Sequence, residues 1–87
     1  MKVSVWDTYV RRKDSKLMHF DILVPNAIND EKTILEYGET YLKGKPFETE
    51  RLNTKICNFC HIEEATDVVK RQIENTGFSI IEMENCN

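Results

Sequence analysis

Lys2-Val3-Ser4-Val5-Trp6-Asp7-Thr8-Tyr9-Val10 and, after six polar residues, Leu17-Met18-His19-Phe20-Asp21-Ile22-Leu23-Val24 decide the fold. Both runs are dense in β-branched and aromatic residues and read as strands over 2–10 and 17–24. The link Arg11-Arg12-Lys13-Asp14-Ser15-Lys16 is short, so the two strands predict an antiparallel hairpin turning near Lys13-Asp14. That register pairs Val3 with Val24 and Tyr9 with Met18. It places Val3, Val5, Asp7 and Tyr9 beside Met18, Phe20, Ile22 and Val24 on a core face. The opposite face then carries Ser4, Trp6, Thr8 and Val10 with Leu17, His19, Asp21 and Leu23, a mixture expected to be half covered or to meet a partner.

Working outward, Pro25 ends the second strand because it cannot donate to a ladder. Asn29 or Asp30 is placed to cap a helix over roughly 30–43, whose stripe Ile34, Leu35, Gly38, Tyr41 and Leu42 follows the helical period and stops at Gly44. Gly38 inside that stripe lowers helix propensity by up to about 1 kcal/mol, which implies a close approach to the sheet or to an aromatic. Residues 44–54 read as a loop. Residues 56–62 fit either a short strand, in which Cys57 and Cys60 face apart, or a thiol-bearing turn. Thr66 caps a second helix with the stripe Ala65, Val69 and Ile73, ending at Gly77, and Phe78 to Glu84 forms a last strand. The order is β-β-α-β-α-β. It predicts an α+β fold with a four-stranded mixed sheet, the N-terminal hairpin at its heart and two helices on one face.

The 87 residues are read as one domain over 1–87, with 40% hydrophobic and 31% charged residues, a composition that folds. The net charge of −3 argues against general binding to nucleic acid or anionic membranes. Arg11, Arg12, Lys13 and Lys16 gather at the hairpin tip, where a solvated role is expected. The N-terminal stretch lacks the apolar core of an export signal, and no window approaches about 18 consecutive apolar residues, so a cytoplasmic location is expected. Three cysteines in a reducing compartment are thiols, metal ligands or core fillers.

Three constellations carry chemistry. Cys57-Asn58-Phe59-Cys60-His61 has the spacing of a haem c attachment string, but the absence of an export signal and the small size oppose that reading. A turn there would let Cys57, Cys60 and His61 hold zinc, with Cys86 or His19 as the fourth ligand. A redox role suffers because Thr66, the next helix cap, lies beyond Cys60, while Glu63 and Glu64 disfavour a thiolate. The second constellation is Asp7, His19 and Asp21, polar residues inside strands. His19 and Asp21 share a face at about 6–7 Å along one strand, with Asp7 expected opposite, so no catalytic residue is assigned. The third is the outer hairpin face of Trp6, Val10, Leu17 and Leu23, which a homodimer would cover.

Trp6-Asp7-Thr8-Tyr9-Val10, His19-Phe20-Asp21-Ile22-Leu23-Val24-Pro25 and Phe59-Cys60-His61-Ile62-Glu63-Glu64-Ala65, taken together, resemble a small bacterial domain-of-unknown-function family of the DUF2024 type. The resemblance reaches from the first strand through Ile81-Glu82-Met83-Glu84. It implies a small α+β domain of about this length and brings no activity or site residue with it. The sequence therefore predicts a small cytosolic, non-enzymatic module that self-associates or binds a partner. The alternative is a zinc-binding or thiol-dependent module built on Cys57, Cys60 and His61, and an enzyme using His19 and Asp21 comes third.

Overall fold

The computed structural model describes residues 1–87, in the order β1 (Lys2–Arg11), β2 (Leu17–Pro25), α1 (Glu31–Lys43), β3 (Cys57–Glu64), α2 (Asp67–Thr76) and β4 (Ser79–Glu84). The expected α+β order therefore stands, and residues 57–64 form a strand rather than a turn. No helix is long and apolar enough to cross a membrane. The caps are those that the residue types imply. Asp30 accepts from the Lys32 amide and Thr66 from the Val69 amide, satisfying first-turn donors that the helix itself leaves free. Gly77 closes α2 in the left-handed region at φ 93°, with its N–H donating to the Ile73 carbonyl.

The sheet order is β3-β1-β2-β4, and every neighbouring pair is antiparallel, so the sheet is not mixed as expected. The hairpin register also differs from the sequence expectation by one residue: Ser4 faces Val24, Asp7 faces Asp21 and Tyr9 faces His19. The cause is local. Arg12 N–H donates to the Lys16 carbonyl at 2.8 Å, leaving Lys13, Asp14 and Ser15 as a three-residue loop, and Ser15 takes the left-handed conformation at φ 76°. One added loop residue exchanges the faces of one strand relative to the other, because side chains alternate with a period of two.

The true faces are therefore Trp6, Val10, Met18, Phe20, Ile22 and Val24 on one side, and Val3, Val5 and Leu23 on the other. Helix α1 covers the first through Ile34 and Leu42, and Gly38 sits so close that a Cβ there would meet Leu52 and Ile22 side chains at 2.4 and 2.9 Å. Tyr41 and Lys45 tie this layer to β4 by donating to the Glu82 carboxylate. Helix α2 packs Val69 and Ile73 on the second face, so the helices lie on opposite faces, not on one. Trp6 belongs to the α1 core at 9% exposure rather than to an open surface.

Helix α2 covers only one end of its face. Strand β3 finishes at Glu64 beside Lys2, and β4 starts at Ser79 beside Leu23, at the same end of the sheet. A 10-residue helix is about 15 Å long, close to the roughly 14 Å that separates the two edge strands of a four-stranded sheet. The helix spans the edges at that end, over Val3, Val5 and Leu23. Beyond it, Asp7, Tyr9, Leu17, His19 and Asp21 lie on the same face with no helix above them.

Candidate functional site

On this uncovered half-face Asp7 stands directly across from Asp21, and Tyr9 across from His19. The His19 side chain turns along its strand so that Nε2 comes within 2.5 Å of Asp7 Oδ1. Its ring stacks on Tyr9, with centroids 4.0 Å apart and planes 10° from parallel. One ligand atom from each of Asp7, His19 and Asp21 lies within 4.8 Å of the other two. The three residues of the second constellation thus converge, including Asp7, which the shifted register moves from the opposite face onto this one. Tyr9, which fixes the imidazole plane, carries no sequence signal of its own beyond its place two residues from Asp7.

Asp21 is the most enclosed of the three at 8% exposure. Burial, and next the adjoining Asp7 carboxylate, push its pKa up to about 6, while His19 and His61 pull it partly back. No hydrogen bond from another protein group reaches its side chain; Asp7 offers a partner only when one of the two carboxyls holds a proton. The cluster can therefore share a proton, accept a cation, or exchange one for the other. Around it Tyr9, Leu17, Ile81 and Met83 are exposed large side chains. Ile81 pairs with Asp21 across the β2–β4 ladder, and Met83 follows at the irregularity where Glu84 comes opposite His19.

The residues proposed from sequence as zinc ligands are not brought together. Cys57 is buried on the α1 side, where Thr8 Oγ1 donates to its sulfur at 3.3 Å and burial raises the thiol pKa. Cys60 is exposed at the irregularity between the Val5 and Trp6 pairings. Cys86 is buried beyond β4, its thiol donating to the His19 carbonyl, with β1 and β2 between it and β3. His61 Nε2 contacts Glu63 at 2.7 Å and its Nδ1 lies 3.2 Å from Cys60 Sγ. The extended strand keeps Cys57 and Cys60 apart, and the width of β1 and β2 separates both from Cys86.

The basic hairpin tip also differs from its solvated expectation at one position. Arg12 is buried, donates to the carbonyls of Asn85 and Asn87 and to Asp14, and lies over the Phe47 ring. Three surface depressions exist, the largest about 540 Å³ beside α1, and none is lined by Asp7, His19 or Asp21. The cluster sits on an open face, not in a pocket that would enclose a small substrate.

A hairpin-centred antiparallel sheet with a helix on each face defines a small α+β domain. The chain belongs to a family described as Domain of unknown function (DUF2024), whose model matches residues 1–83. It is similar over its whole length to a solved structure, protein NE1680 from Nitrosomonas europaea, with 37% identity, 100% of each chain covered and a TM-score of 0.85. No curated protein matches it.

Proposed function

We propose that this domain acts by binding rather than by catalysis, and that its binding surface is the half-face beside α2, where a second copy of the chain docks. The observation that carries this reading is the group of four large exposed side chains, Tyr9, Leu17, Ile81 and Met83, around one stretch of sheet. Large apolar groups gathered on a flat face mark contact surfaces. A two-fold pairing of this half-face lets each copy cover the other with the same residues. The reading moves the contact from the Trp6 face, which α1 occupies, to the opposite side.

Sedimentation across micromolar to millimolar concentrations tests it. The expected result is a reversible dimer that Met83→Glu and Leu17→Glu disrupt and that Val68→Glu, on the exposed side of α2, leaves intact. A monomer at every concentration removes the reading, as does a dimer indifferent to the first two substitutions. Docking this half-face also covers Asp7 beside the already enclosed Asp21, and burying two carboxylates side by side is costly unless positive charge accompanies them.

A further inference from the structure

We propose that Asp7, His19 and Asp21 form a binding site for a divalent transition-metal cation. Asp21 carries the inference: it is 8% exposed, receives no hydrogen bond from another residue's N–H or O–H, and faces Asp7 and His19. With no protein donor directed at it, this largely buried carboxylate is left to water at the open face or to a cation. Its neighbour His19 directs Nε2 to Asp7 instead. What completes the cluster is a group of positive charge placed among all three side chains.

The geometry suits an ion. Bonds from zinc-like cations to imidazole nitrogen and carboxylate oxygen are about 2.0–2.2 Å, so small side-chain rotations bring three atoms within 4.8 Å of one another around one centre. His19 Nε2 and Asp7 Oδ1, at 2.5 Å, are closer than the roughly 3.3 Å between two ligands of a tetrahedral ion. They part when the cation takes the place of the proton between them, and the neutral imidazole then carries its single proton on Nδ1. Tyr9 holds the imidazole plane throughout.

The donor set is selective. One nitrogen and two oxygens suit Zn²⁺, Mn²⁺, Fe²⁺ or Co²⁺ better than Ca²⁺, which takes six to eight oxygens, while a thiolate site would need cysteines that this half-face lacks. Two carboxylates, a neutral imidazole and a divalent cation sum to zero charge, which lowers the cost of covering the cluster. Three protein ligands also leave at least one position of a tetrahedral ion for water or for a group from a docked partner.

The test uses the full chain with Cys60→Ser as background, so that the exposed thiol takes no part, after removal of metal by chelator. Mn²⁺ is titrated while amide NMR signals are followed, and Zn²⁺ is titrated calorimetrically. The expected outcome is paramagnetic broadening centred on Asp7, His19 and Asp21, one equivalent of Zn²⁺ bound, and an affinity loss of more than about tenfold in Asp21→Asn. Broadening spread over other surface carboxylates, or centred on His61 and Glu63, overturns the inference, as does an unchanged affinity in Asp21→Asn. Because the Mn²⁺ map is recorded on the unsubstituted cluster, it locates the ion even if Asp21→Asn perturbs folding. Both readouts work on the monomer: metal binding without self-association leaves this inference standing and removes the preceding one, and dimerisation without metal does the reverse.

Discussion

An aspartate in the middle of a central strand opposes the stability of the sheet that holds it. Asp21 has a pKa near 6 in the folded chain against 3.8 as a free side chain, so the folded state binds more protons between those values. Stability from this residue is fully present below about pH 4 and is lost as pH rises through 6. The charges facing it are Asp7 from β1, His19 from β2 and His61 from β3, while β4 contributes the apolar Ile81. Asp21→Asn is therefore expected to raise stability by on the order of 1–2 kcal/mol at pH 7.5 with chelator present, and to change it little at pH 4. Urea unfolding at the two pH values checks this, and equal effects at both would contradict it. The sequence already singled out Asp7, His19 and Asp21 as polar residues inside strands. What it concealed was their convergence, because one residue, Ser15, in a left-handed conformation sets which face Asp7 occupies.

At the scale of elements, sequence signals spoke clearly where the physics is local. Asp30, Thr66 and Gly77 mark helix ends by chemistry that operates within a turn, and alternation marks β1 and β2. The face that α2 covers is not local information. The stripe Val69 and Ile73 suits either side of the sheet, and the face left to it is the one that α1 does not occupy. Gly38 was legible in kind, since a glycine in an apolar stripe implies a close approach, but its partner Leu52 comes from a loop with no periodic signal. That contact predicts non-additivity. Gly38→Ala alone forces Leu52 and Ile22 aside and is expected to destabilise by about 1 kcal/mol. In a Leu52→Ala background the same substitution meets more room and recovers helix propensity, so it becomes neutral or stabilising by up to about 1 kcal/mol. Denaturation of the four proteins of this cycle decides it, and equal effects in both backgrounds would show that the contact is relieved elsewhere.

For the molecule as a whole, the C-terminal tail is held by the tip of the hairpin. Arg12, from the tip, reaches residues 73 and 75 positions away, donating to the Asn85 carbonyl at 3.0 Å and the Asn87 carbonyl at 2.8 Å. Its guanidinium also pairs with Asp14 and lies 3.6 Å from the centre of the Phe47 ring. Sequence placed Arg12 among four solvated cations because nothing within the tip distinguishes it, and a contact of such separation leaves no local trace. Its Nε is buried without a partner, so the residue brings an unmet donor as well as three charge-assisted contacts and a guanidinium laid over Phe47. The balance is testable by two substitutions. Arg12→Ala removes contacts and stem together, and is expected to cost about 2–4 kcal/mol and to speed amide exchange at Asn85 to Asn87. Arg12→Met keeps apolar volume against Phe47 and deletes the unmet Nε, so it should cost less than half as much while freeing the same amides. Equal losses for the two would assign the stabilisation to the hydrogen bonds to the tail. Unchanged exchange at Asn85 to Asn87 in either variant would show that the tail is held by Cys86, whose thiol donates to the His19 carbonyl behind the Asp7–His19–Asp21 cluster.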